Sequence, residues 1–110
     1  MKKKYFILRA TSSSGPSRLD YYDNEKSFQI GHLPKRSIHL YKCFNINRRI
    51  DSKHKYGVSL FEGSECFTVL ADSEVEQEDW LNCLLEYQNE YLPEGEPPKV
   101  HYGKLHCLLQ

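Results

Sequence analysis

Apolar and polar residues alternate in short runs through the first two-thirds of the chain. A period of two marks strands with one buried face. Lys2 to Arg9 (KKKYFILR) is a strand candidate. In Arg18–Tyr22, Leu19 and Tyr21 alternate against Arg18, Asp20 and Tyr22. In Ser37–Tyr41, Ile38 and Leu40 alternate with Ser37, His39 and Tyr41. Phe44–Asn47 reads as a short strand or a bend, and Arg48–Lys55 as a basic loop. Tyr56–Glu62 and Cys66–Ala71 form a hairpin around Gly63-Ser64. Thr11–Ser17 is small and turn-forming, and Asp23–Arg36 is a long polar connection holding Gly31 and Pro34.

The period then changes. Trp80, Leu84, Tyr87 and Tyr91 fall at i, i+4, i+7 and i+11, with Leu81 beside them, one face of a helix. Ser73 followed by Glu76 has the form of a capping box. The carboxylates of the first two turns suit the positive end of the helix dipole. The spacing predicts a helix from about Glu74 to Tyr91, with Trp80 buried between helix and sheet. Pro93–Pro98 cannot continue it. Val100–Gln110 (VHYGKLHCLLQ) is too short to fold alone. It is the start of a following domain, a tail packed on this one, or a non-native extension. The expected organisation is one domain over residues 1–92, then a linker and tail over 93–110.

The chain has 110 residues, 39% of them hydrophobic and 27% charged, which suits one soluble domain with a modest core. Its 14 aromatic residues favour β structure. No run approaches the roughly 20 apolar residues that cross a bilayer. Tyr5–Leu8 is too short for a signal peptide. A cytoplasmic location is expected, with Cys43, Cys66, Cys83 and Cys107 as reduced thiols. The formal net charge of zero hides an asymmetry. Residues 1–56 hold 13 Lys and Arg against 4 Asp and Glu, a balance of +9, and residues 57–110 hold 2 against 11, a balance of −9. If the fold keeps the halves apart, a basic face can meet phosphates although the whole is neutral. Lys2, Lys4, Arg18, Lys35, Arg36, Arg48 and Arg49 are then expected to gather at the end opposite the helix start. Solvated surface charge interleaved by the fold is the plainer reading.

Chemical motifs are absent. There is no Gly-rich phosphate loop, no G-x-S-x-G and no H-E-x-x-H. His101, His106 and Cys107 lack the paired spacing of a structural zinc site, so no metal is expected. The basic residues carry no RNA-binding run, and strand cores explain the aromatics, so no nucleic acid is expected. No cofactor is called for. Lys2 and Lys4 are the sharpest basic feature. On a strand they share a side with Phe6 and Leu8. If those two line a barrel, the lysines stand at its mouth.

The segments KKKYFILRA, SRLDYYDNEKSF, PKRSIHLYKCFNINRRIDSKHKYGVSLF and ADSEVEQEDW resemble the pleckstrin-homology domain of insulin receptor substrate proteins. The resemblance covers roughly residues 2–90. It implies a mainly β fold with one C-terminal helix, a bent antiparallel seven-stranded barrel capped by that helix. The family has a further strand before the KKKYFILR position, so the first strand is expected to be missing here. The resemblance implies no enzymatic activity. In phosphoinositide-binding members, a K-x-R pair enters the second strand and a Tyr lies on the third. Carried across, these positions fall on Lys2, Lys4 and Tyr21, with Lys4 in place of Arg. The first-strand lysine of those members has no counterpart.

The expected function is a non-catalytic adaptor domain recruited peripherally to the plasma membrane. It would bind phosphoinositide headgroups through Lys2, Lys4, Tyr21, Lys35 and Arg36. It would help couple an activated insulin or insulin-like growth factor receptor to downstream proteins. The alternative is a protein-interaction module that binds acidic segments through the same basic face. A monomer is expected.

Overall fold

Half-buried strands leave two needs: each edge must be hydrogen-bonded, and each apolar face must be covered. The chain meets both with one curled sheet and a helix. In the computed structural model, which describes residues 2–12, 15–51, 53–89 and 99–108, the elements follow in order. They are β1 (Lys3–Arg9), β2 (Arg18–Tyr22), α1 (Glu25–Gln29), β3 (Arg36–His39), a 3-10 turn (Leu40–Lys42), β4 (Cys43–Arg49), β5 (Gly57–Glu62), β6 (Glu65–Leu70), α2 (Glu74–Asn89) and β7 (Val100–Leu108). The strands form one antiparallel sheet in the order β3-β2-β1-β7-β6-β5-β4.

The sheet curls around a single inner core. Phe6, Leu8, Leu19, Ile38, Ile46, Val58, Leu60, Phe67, Val69 and Leu105 share one cluster with Trp80, Leu81, Leu84 and Tyr87 of α2. Ile38 comes from one terminal strand of the sheet and Ile46 from the other. The expected barrel is nevertheless not closed, because no ladder joins β3 to β4 among the described residues. The helix bridges that seam. Gln88 Nε2 donates to the carbonyls of Leu40 and Cys43, both at 2.8 Å. Buried Gln77 donates to the Gly57 carbonyl at 2.9 Å. At the start of α2, the Glu76 N–H donates to the Ser73 hydroxyl at 3.2 Å, the cap expected from the sequence. Tyr91 and the Pro-rich stretch lie outside the described residues.

The segment expected as a tail is instead the middle strand. Val100–Leu108 runs between β1 and β6, with register Lys3↔His106 to Arg9↔Val100 on one side and Thr68↔Leu108 to Leu70↔His106 on the other. It brings the strand count to seven, filling the place next to β1 where a strand was expected to be missing. Leu105 and Cys107 point into the core, and Gly103 lies under the Trp80 ring. A Cβ built on Gly103 would fall 2.6 Å from Trp80 Cζ2. Gly103→Ala must therefore shift the indole or the strand, at an expected cost of about 1–3 kcal/mol. Urea denaturation measures this cost.

The polar connection expected over residues 23–36 contains α1. Asn24 caps it, accepting from the Ser27 N–H at 2.8 Å. Its Phe28 covers Tyr5, Ile7 and Tyr22 on the outer face. Tyr22 is thus buried, although strand alternation puts it on the polar side. Asp20 is buried with it, paired to Arg18 at 3.1 Å and Arg9 at 3.4 Å.

Candidate functional site

Cross-strand partners point to the same side of a sheet. Tyr5 faces Tyr22 in the β1–β2 ladder, so one step outward Lys4 meets Asp23. Lys4 Nζ lies 3.0 Å from Asp23 Oδ1, and Lys35 Nζ reaches the same oxygen at 3.3 Å. The Lys35 backbone N–H donates to the Tyr21 carbonyl at 2.8 Å, which fixes the approach to β3. Tyr21 in turn faces Arg36 in the β2–β3 ladder. The Arg36 guanidinium stands 5.2 Å from the centre of the Phe67 ring and pairs with Glu65 at 2.8 Å. The Tyr21 ring packs on Phe6 and Phe67, at 5.4 and 5.7 Å.

Tyr21, Arg36, Glu65 and Phe67 line an open cavity of about 350 Å³, together with Ser64, Cys66 and Leu108. Lys4, Tyr21, Lys35 and Arg36 are therefore brought to one end of the sheet. Lys2 is exposed, two residues further out on the side of Lys4. The site also holds two groups that the sequence reading missed, Asp23 and Glu65. Both carboxylates pair with the basic residues of the candidate site. Lys4 and then Lys35, by hydrogen bonding, hold the Asp23 carboxyl below its ordinary range. Its contribution is present above the unfolded carboxylate pKa and is lost as pH falls through the lowered folded value. Mild acid therefore does not release the two lysines.

The wider gathering of basic residues is not found. Arg18 lies at the far end of β2, opposite Arg9 and His39. Arg48 pairs with Glu78 at the start of α2, and Lys3 with Asp72. Together with Arg36–Glu65, these pairs stitch the basic and acidic halves of the chain together. The reason is topological: antiparallel pairing and helix docking interleave distant segments. A larger cavity of about 560 Å³, lined by Lys53, His54, Lys55, Tyr56, Leu70, Ala71, Asp72 and His106, lies elsewhere. The thiols do not suggest nucleophilic chemistry. Burial, helped by Glu62, pushes Cys43 up to about 11, and burial also raises Cys107. No helix is long and apolar enough to cross a membrane among the described residues.

Comparison with known proteins agrees with this architecture. Mouse (Mus musculus) insulin receptor substrate 1 is 50% identical over 91 residues, covering 81% of this chain and 7% of that protein. Insulin receptor substrate 2-A of Xenopus laevis is 48% identical over 92 residues, covering 80% of this chain and 9% of that protein. Insulin receptor substrate 1 of Drosophila sechellia is 43% identical over 88 residues, with 80% and 9% covered. The chain thus spans less than a tenth of the length of these relatives. The family model for the PH domain matches residues 1–88. The curled antiparallel sheet, the helix across its seam and this match make the chain a member of the PH domain family.

Proposed function

We propose that the mouth bearing Lys2, Lys4, Tyr21, Lys35 and Arg36 docks phosphoinositide headgroups at the cytosolic membrane surface. The observation that carries this reading is that Lys4 and Lys35 both hold the Asp23 carboxylate, while Arg36, on the strand that follows Lys35, holds Glu65 at an open cavity. Groups that already hold carboxylate oxygens are placed to hold phosphate oxygens. In this reading the domain is non-catalytic. It recruits a larger adaptor peripherally to the plasma membrane, where an activated insulin or insulin-like growth factor receptor can be coupled to downstream proteins. The similarity to insulin receptor substrates supports that role.

The same observation favours a second reading. Asp23 and Glu65 show that the mouth accepts carboxylates, so an acidic segment of a partner protein could bind there. Vesicle flotation with and without a soluble inositol phosphate separates the two. Headgroup docking carries the chain up with the vesicles and is abolished by the competitor, whereas binding of an acidic peptide through the same basic face is only weakened by it. Each basic side chain near an anionic leaflet contributes about 1 kcal/mol. Replacing Lys4 and Lys35 together by Ala should therefore weaken vesicle binding about 30-fold. The exposed pair Lys42 and Lys104, replaced likewise, should have little effect. Asp23→Asn frees both lysines of the site and should strengthen binding about fivefold at low salt. Equal losses from the two double variants would mean diffuse attraction and no site.

A further inference from the structure

We propose that Asp79, Cys83 and His101 form a zinc site that ties α2 to β7. Asp79 and Cys83 lie one helical turn apart, on one face of α2. His101 comes from β7, on the side of the strand that carries Gly103, Leu105 and Cys107. One ligand atom from each of the three lies within 4.8 Å of the others, and His101 Nε2 is 3.3 Å from Asp79 Oδ2. Zinc takes thiolate sulfur at about 2.3 Å and imidazole or carboxylate atoms at about 2.0–2.2 Å in tetrahedral geometry. Ligand atoms of such a site are therefore roughly 3.3–3.8 Å apart. The Asp79–His101 pair already has this spacing, and the Cys83 sulfur lies within 4.8 Å of both.

The surroundings suit a site of this kind. The His101 ring stands edge-on to Trp80, with centroids 4.5 Å apart and an angle of 77°. That contact orients the imidazole. Cys83 and His101 are half-buried while Asp79 is exposed, so the fourth position opens to solvent. A mixed sulfur, nitrogen and oxygen set selects zinc over the hard cations calcium and magnesium. The site is also remote from the basic mouth: along β1, His101 faces Leu8 while Leu105 faces Lys4. The sequence hid it because two ligands lie on the helix and the third beyond the Pro-rich stretch. A metal bound only by the folded state would hold the middle strand of the sheet against the helix.

The test uses the full 110-residue chain, titrated with Zn²⁺ against a chromophoric chelator and with Co²⁺ as a spectroscopic probe. The expected result is one tight equivalent, a tetrahedral cobalt spectrum with a thiolate charge-transfer band, and a higher unfolding midpoint with Zn²⁺. Cys83→Ser should remove that band. Loss of an outer-sphere partner already weakens metal binding by about 10–100-fold, so His101→Gln should weaken it by more. Asp79→Asn, at an exposed position, supplies the same test should either of the other variants fail to fold. A thiolate band that survives in Cys83→Ser and disappears in Cys107→Ser would overturn the proposal. So would the absence of Zn²⁺ binding below millimolar concentration by the unaltered chain.

Discussion

A chain ending at residue 98 is expected to lose cooperative folding altogether. Removing β7 strips the hydrogen-bonded partner from β1 along seven register pairs and from β6 along three. The exposed edges then offer unpaired N–H and C=O groups to other chains. The inner core loses Leu105 and Cys107, and Trp80 loses the Gly103 surface on which its ring rests. Truncating a buried Leu alone costs about 2–5 kcal/mol. Domains of this size have about 5–15 kcal/mol of total stability, so the loss of a whole central strand exceeds what remains. Thermal unfolding followed by circular dichroism checks this. A truncated chain with an unchanged sigmoidal transition would mean that β7 is an accessory strand.

Trp80→Ala is expected to destabilise the fold by about 3–5 kcal/mol. The side chain is only 3% exposed. Its ring packs edge-on to Phe6 of β1 at 6.5 Å and to His101 of β7 at 4.5 Å, and covers Gly103. The helix is thereby anchored to two neighbouring strands by one residue. Alanine leaves a cavity lined by groups held by backbone hydrogen bonds, which cannot collapse to fill it. Trp80→Phe, which keeps an aromatic ring there, should cost less. A loss below about 1 kcal/mol for Trp80→Ala, within the range of ordinary surface changes, would contradict this packing.

The elements most legible in the sequence are those whose buried positions are apolar. Leu19 with Tyr21 announces β2 and Ile38 marks β3, although that strand ends at His39 and Leu40 opens the 3-10 turn. Gly63, with φ +58°, turns the β5–β6 hairpin where expected. Ser73 and the Trp80–Leu84–Tyr87 spacing define the helix. The strand β7 escaped because two of its inward positions are His101 and Gly103. The core volume at those positions comes from Trp80, on another element, so the apolar alternation is broken. The helix α1 escaped because five residues with one large apolar side chain, Phe28, give no measurable period. Burial of Asp20 and Tyr22 depends on that helix and on Arg9 and Arg18, none of which alternation can foresee.

The placement of the candidate residues was legible in the same partial way. Strand parity placed Lys4 at the rim, and resemblance supplied Tyr21. Lys35 and Arg36 followed from the loop before β3. Asp23 was hidden because its meeting with Lys4 depends on ladder register, and Glu65 because it arrives from a hairpin 29 residues from Arg36. These two carboxylates set the net charge of the mouth, which residue counts over halves of the chain cannot show.

The most direct measurement of the docking site is an amide NMR titration of the full chain with a soluble inositol phosphate. Saturable shifts centred on Lys4, Tyr21, Asp23, Lys35 and Arg36 are the predicted result. They should be lost in the Lys4→Ala, Lys35→Ala double variant while the rest of the spectrum is retained. Shifts centred instead on Lys53, Lys55 and His106 around the larger cavity, or no saturable shifts at all, would contradict the account.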